Sequence, residues 1–146
     1  MLLWYVGPSV LVVWLVFRSP MADHRTVALG ALLPLVEVVL GRPGPLHTLA
    51  GAVVVLALVM AVTRGRRLVR RRWLGVPIGL FLHLVLSGSF TRPDLFWWPV
   101  TGVALPEGSI PGLDRPLGVL LVLEVLGLLA CVWCHRAFGL DDPGRR

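Results

Sequence analysis

The chain has 146 residues, of which 56% are hydrophobic and 15% charged, and its mean hydropathy is +0.81. A soluble globular domain is typically about 45–50% apolar and about 25% charged, so this composition argues against one. The formal net charge is +6, and all 14 basic side chains are arginine. The apolar residues lie in blocks, which is typical of an integral membrane protein.

Five apolar runs follow one another, separated by polar or Gly/Pro-rich segments: Leu2–Phe17, Thr26–Leu40, Leu46–Val62, Trp73–Phe90 and Leu117–Trp133. The first run lacks a preceding basic residue and a cleavage site, so we expect it to remain as a span. It is short, since about 20 residues cross the hydrocarbon core. The second contains Pro34, which predicts a kink near its end. We predict one all-α integral membrane domain over residues 1–146, with a bundle of about five transmembrane helices, or four if the first run does not span.

The arginines set the predicted orientation, because short arginine-rich loops stay in the cytoplasm. The densest group lies in Thr63–Arg72, between the third and fourth runs. Placing this arginine loop inside puts the N-terminus outside and the C-terminus in the cytoplasm, and leaves only three of the 14 arginines outside: Arg42, Arg92 and Arg115. The loop is short and tethered to spans at both ends. It therefore predicts contact with membrane lipids through their anionic head groups, and no nucleic-acid partner.

Four ionisable residues lie within or at the edges of the apolar runs: Glu37, His47, His83 and Glu124. At 1.5 Å per residue, Glu37 lies about 5 Å below the outer end of its run, and His83 and Glu124 about 10 Å below theirs. Because ionisable groups inside a membrane tend to pair, we predict that the four converge on one polar pocket that opens outward. In the alternative, each is satisfied separately by head groups, water or a backbone carbonyl.

These residues suit one divalent metal ion, preferably Zn²⁺, with His47, His83, Glu37 and Glu124 as predicted ligands. A metal-bound water would then be the nucleophile. Ser87 lies one turn after His83 on the same face, so His83, Glu37 and Ser87 are the catalytic candidates. A serine hydroxyl in this position also bonds back to its own helix. No compact ligand motif such as H-E-x-x-H is present.

Residues Cys131, Cys134 and His135 form the C-x-x-C-H pattern of covalent haem attachment. The predicted orientation places it in the cytoplasm, whereas haem is attached outside, so we expect no haem. Trp97 and Trp98 are typical of an interfacial aromatic belt.

Several short motifs, in this order and spacing, make the chain similar to a known family: Gly30–Pro34 with Glu37, Leu46–Thr48, Arg64–Arg67, and Gly79–Leu86 followed by Phe96–Pro99. The chain resembles the YdjM-type membrane-bound, metal-dependent hydrolase-like proteins of bacteria, especially a small actinobacterial form. The resemblance implies a multi-pass protein of the bacterial plasma membrane with site histidines at His47 and His83.

The chain departs from this family at two acidic positions. Leu35 stands where an aspartate commonly follows Leu-Pro, with Glu37 close by, and Ser87 stands where an aspartate usually follows the histidine. Loss of a carboxylate removes a metal ligand or a general base. The sequence therefore leaves two functions open: a metal-dependent hydrolase acting at the outer leaflet on a phospholipid-like ester, or a non-catalytic scaffold that binds lipid, a partner membrane protein or a second copy. A transport subunit would need polar residues through the whole membrane thickness.

Overall fold

The structure, a computed structural model, describes residues 1–17, 23–39, 41, 44–102, 104, 112 and 114–137. Within these ranges every regular element is helical, which confirms the predicted all-α class for this part of the chain. The α-helices are α1 Leu2–Phe17, α2 His24–Leu32, α3 Leu35–Val39, α4 Leu49–Val62, α5 Arg67–Trp73, α6 Gly75–Ser87, α7 Pro93–Phe96 and α8 Leu117–Ala137. Single 3-10 turns form at Pro45–His47 and Ser89–Thr91. Leu40 and the arginines at positions 18, 42, 145 and 146, which entered the predictions, lie outside the described residues.

Helix α8 has 21 residues, and an 18-residue stretch of it has a mean hydropathy of 2.5; among the described helices it alone is long and apolar enough to cross a membrane. Helices α1 and α4 are apolar but shorter, with 16 and 14 residues. The structure therefore contains one candidate span by length and composition. The larger number of spans stays a prediction.

Helix α1 coincides with the first apolar run, and α8 begins at the predicted residue. The second run is broken rather than bent, because Pro34 has no N–H to continue the helix. Backbone hydrogen bonds around the break run three residues back, from Leu33 to Gly30 at 3.3 Å and from Glu37 to Pro34 at 3.0 Å. The break divides the run into α2 and α3.

The arginine loop differs from its prediction, because residues Arg67–Trp73 form helix α5. Arginine and leucine are good helix formers, and neither glycine nor proline interrupts this stretch. Gly65, with φ of 80°, lies in the turn that separates α5 from α4. The segment is thus a turn followed by a short basic helix.

Among the described helices, α2 and α6 make the most extensive contact, and they run in the same direction. A Cβ atom on Gly79 would overlap the carbonyl oxygen of Val27, and one on Gly30 would overlap that of Val76. Glycine at both positions lets the two backbones touch. Helix α1 packs on α8 and against the α2–α6 pair, while α4 covers another side of α6. The α2–α6 contact fixes the position of the residues described next.

Candidate functional site

His83 is held by the broken second run. The Ala31 carbonyl, one turn before Pro34, lies 2.7 Å from the His83 Nδ1 atom. A carbonyl oxygen only accepts hydrogen bonds, so His83 Nδ1 carries the proton and donates it. The close α2–α6 packing brings the two groups within this distance. The His83 side chain is 1% exposed.

Glu37 lies in α3, after the helix break at Pro34, and makes a second set of contacts. Its carboxylate accepts hydrogen bonds from the Gly44 amide at 2.9 Å, the Leu46 amide at 2.8 Å and the His47 Nδ1–H group at 2.7 Å. The residue is 6% exposed. Three donors compensate the burial of a carboxylate, which would otherwise be costly. Glu37 therefore ties α3 to the 3-10 turn and orients the His47 ring.

His47 ends the 3-10 turn that replaces the predicted start of the third helix. Thr48 stops that turn and caps α4: its hydroxyl donates to the Pro45 carbonyl at 2.7 Å and accepts from the Gly51 amide at 3.0 Å. The third helix consequently begins at Leu49 rather than Leu46. His47 is completely buried.

The two imidazoles meet in the interior. Their ring centroids are 5.5 Å apart, and the rings lie nearly perpendicular, at 81°. Tyr5 of α1 stacks on the other side of His83, with centroids 4.0 Å apart and an interplanar angle of 29°. Three separate parts of the chain, α1, the 3-10 turn and α6, therefore enclose the pair.

Both histidines have the same protonation pattern. Each Nδ1 donates, His47 to a carboxylate and His83 to a backbone carbonyl, so each neutral ring keeps a lone pair on Nε2. Both Nε2 atoms are buried, and neither has a hydrogen-bond partner within the described residues. Buried polar atoms are rarely left unpaired, so two together mark this as the candidate site.

Ser87 lies one turn beyond His83 but bonds elsewhere. Its hydroxyl is 2.8 Å from the Ser89 hydroxyl and donates to the Leu84 carbonyl at 3.2 Å. The Ser87 carbonyl accepts a long hydrogen bond from Arg115, at 3.4 Å. Ser87 therefore belongs to a local hydroxyl pair, and its role as a nucleophile stays a prediction.

Glu124 lies apart from the other three predicted ligands. Its carboxylate accepts from the Leu3 amide at 3.2 Å and pairs with the Met1 amino group at 3.3 Å, and its side chain is 33% exposed. The structure thus brings together Glu37, His47 and His83, and it places Glu124 at the start of α1.

Tyr5 is the site residue that the sequence reasoning missed. A usable signal was present, because Tyr5 is the only tyrosine in the chain and lies near the start of the first apolar run. The Ala31 carbonyl had no such signal, since a backbone acceptor cannot be identified from residue type.

In the described part of the chain, no set of three or more His, Cys, Asp or Glu side chains is arranged to hold a metal ion. The protein ligands at the candidate site would therefore be the imidazoles of His47 and His83. Glu37 is hydrogen-bonded to His47 and would not be a ligand itself. Comparison of the chain with protein-family models, with curated proteins and with solved structures gives no match.

Proposed function

We propose that this chain is a multi-pass protein of the bacterial plasma membrane. Its apolar side chains cover the outside: among others, Val16 is 68% exposed, Val54 56% and Leu121 68%. The described buried residues, by contrast, include nine polar or charged side chains beside ten apolar ones. Soluble monomers rarely expose large contiguous apolar patches, whereas lipid hydrocarbon favours such a surface.

We further propose that the Nε2 atoms of His47 and His83 bind one divalent metal ion, with Zn²⁺ the best fit. Metal-binding histidines almost always donate their other ring N–H to a carboxylate or a backbone carbonyl, and these two do so. Two imidazoles that share one tetrahedral zinc, with Zn–N bonds near 2.0–2.1 Å, hold their centroids about 5 Å apart. The observed separation of 5.5 Å is of that size.

Each residue then has a definite part. Glu37 and the Ala31 carbonyl fix the tautomers and directions of the two rings, so Glu37 is a positioning residue rather than a ligand. Tyr5 excludes water from one face of His83. When bound, a divalent metal supplies an activated water and polarises an ester carbonyl or phosphoryl oxygen. The proposed reaction is hydrolysis of a phospholipid-like ester at the outer leaflet.

A non-catalytic scaffold is the second candidate, and a specific observation favours it. Glu37 already accepts three hydrogen bonds, and Ser87 occupies the position where the resembled family has a further carboxylate. Neither Glu37 nor Ser87 therefore supplies an available general base beside the histidines. In a non-catalytic scaffold, the histidine site would contribute to stability or to lipid binding.

The two unpartnered Nε2 atoms carry the proposal, and metal content tests it. Protein purified in mild detergent and incubated with zinc should retain about one ion per chain, as expected for a site with a complete outer shell. His83→Ala and His47→Ala should retain almost none, whereas Glu124→Gln should equal the wild type. Equal zinc in the wild type and His83→Ala would overturn the metal site.

Hydrolysis is measured separately. Zinc-loaded wild type should release fatty acid or head group from a short-chain phospholipid, and His83→Ala should not. Zinc binding without release of either product would leave the scaffold as the function.

A further inference from the structure

A groove of about 430 Å³ lies between α1, α4 and α6. Helices α1 and α4 both contact α6 but have little contact with each other, which leaves this gap. All twelve side chains that line it are apolar, and they include Val13 and Phe17, Ala52 and Val53, and Pro77 and Phe81. A groove without a polar side chain favours hydrocarbon.

The groove is distinct from the histidine site. Phe81 and His83 are two residues apart on α6, which places them about 200° apart around the helix. His83 faces α2 and the 3-10 turn, while Phe81 is 47% exposed on the outer side.

The groove is short, and apolar side chains line it along its length. Its lining residues extend over Leu49–Leu56 of α4 and over positions 77–82 of α6, about 8–11 Å at 1.5 Å per residue. An apolar groove of this length accommodates a segment of a hydrocarbon chain.

Cationic side chains stand at one end of the groove. Helix α5 ends at Trp73, and the groove-lining Pro77 follows four residues later. Arg72 pairs with Asp23 at 2.9 Å, but Arg67, Arg70 and Arg71 form no ion pair with a described residue. Among the residues that the structure covers, the buried Nε atom of Arg70 also has no hydrogen-bond partner.

Helix α5 has the character of an interfacial helix, because it combines these arginines with Leu68, which is 82% exposed, and Trp73, which is 47% exposed. We infer that α5 and the groove together bind one anionic phospholipid of the cytoplasmic leaflet, with its head group on the arginines and an acyl chain between α1, α4 and α6. The inference rests on the membrane placement in the proposed function, but not on the metal site.

Lipid retention by the full chain in mild detergent tests this inference, with native mass spectrometry as the readout. The wild type should retain one phosphatidylglycerol and much less phosphatidylcholine. Arg70→Gln and Arg71→Gln should each weaken retention about fivefold, the contribution of one arginine near an anionic surface. Arg64→Gln, in the turn before α5, is the matched control and should weaken it less.

The groove is tested by a second matched pair. Val53 and Val54 are neighbours on α4, with 55% and 56% exposure, but only Val53 lines the groove. Val53→Trp should fill it and reduce retention at least about fivefold, because the acyl chain loses its apolar contact area. Val54→Trp should retain lipid as the wild type does.

Equal retention of the two lipids, or equal retention by the two tryptophan variants, would overturn the inference. Zinc content of the same preparations reports separately on His47 and His83, so failure of the lipid site is distinguishable from failure of the metal site.

Discussion

Glu37 and Glu124 are two carboxylates that the predicted topology places in the same half of the membrane, yet they end in different surroundings. Glu37 is 6% exposed and accepts three hydrogen bonds beside the histidine pair. Glu124 is one-third exposed and contacts the first residues of α1. Depth along a helix is therefore insufficient to identify a site, because the direction around the helix decides which groups meet.

A similar contrast separates two helix pairs, α2–α6 and α1–α8. The α2–α6 pair contains the His83–Ala31 contact. His47 of the 3-10 turn and Tyr5 of α1 both pack against His83. Helix α8 rests on α1 and otherwise presents an exposed apolar surface. We expect changes at the α2–α6 contact to disturb the site and changes at the α1–α8 contact to leave it intact.

The largest expected effect is that of Glu37→Ala. It removes the acceptor of the Gly44 and Leu46 amides and of the His47 ring, and at about 1–3 kcal/mol for each group left unpaired we expect a loss of about 3–9 kcal/mol. Unfolding of the protein in mixed micelles by increasing fractions of an anionic detergent measures it.

Glu124→Ala is the control for this prediction. A partly exposed ion pair contributes about 0–1 kcal/mol, so the loss should be small. A loss as large as that of Glu37→Ala would contradict the distinction between the two carboxylates.

Gly79→Ala should have the next largest effect. The added methyl group meets the Val27 carbonyl oxygen and forces α6 away from α2, which costs about 1–3 kcal/mol and lengthens the His83–Ala31 contact. Zinc retention should fall together with stability.

Gly127→Ala provides the comparison on the other helix pair. Its methyl group meets the Leu3 backbone, so stability should also fall, but zinc retention should not. Loss of zinc in both variants would show that the site depends on the whole bundle.

Tyr5→Leu should have a smaller effect. A stacked aromatic pair contributes about 0.5–1.5 kcal/mol beyond the area that it buries, and leucine removes the stack on His83. Tyr5→Phe keeps the ring and should lie closer to the wild type in the same unfolding assay. The prediction fails if the two variants are equally destabilised.

Ser87→Ala should have the smallest effect. The hydroxyl makes two short-range hydrogen bonds, so the expected loss is about 1 kcal/mol with zinc content unchanged. A large loss of zinc would place Ser87 in the metal site after all.

Much of the local structure followed from the sequence. Apolar runs predicted α1 and the start of α8, and Pro34 predicted the disturbance in the second run. Helix α5 was missed because charge alone does not distinguish a loop from a basic helix. The start of α4 was displaced from Leu46 to Leu49 because the Thr48 side chain completes a cap that a hydropathy pattern does not detect.

The sequence by itself determined that this protein is helical and apolar, and which polar side chains had to be accommodated inside it, because hydrophobicity and residue type are properties of single positions. Only the tertiary structure decided that Glu37, His47 and His83 meet and that Glu124 does not. Their meeting depends on the close approach of α2 and α6 and on the break at Pro34, which set directions around the helix axes rather than positions along them.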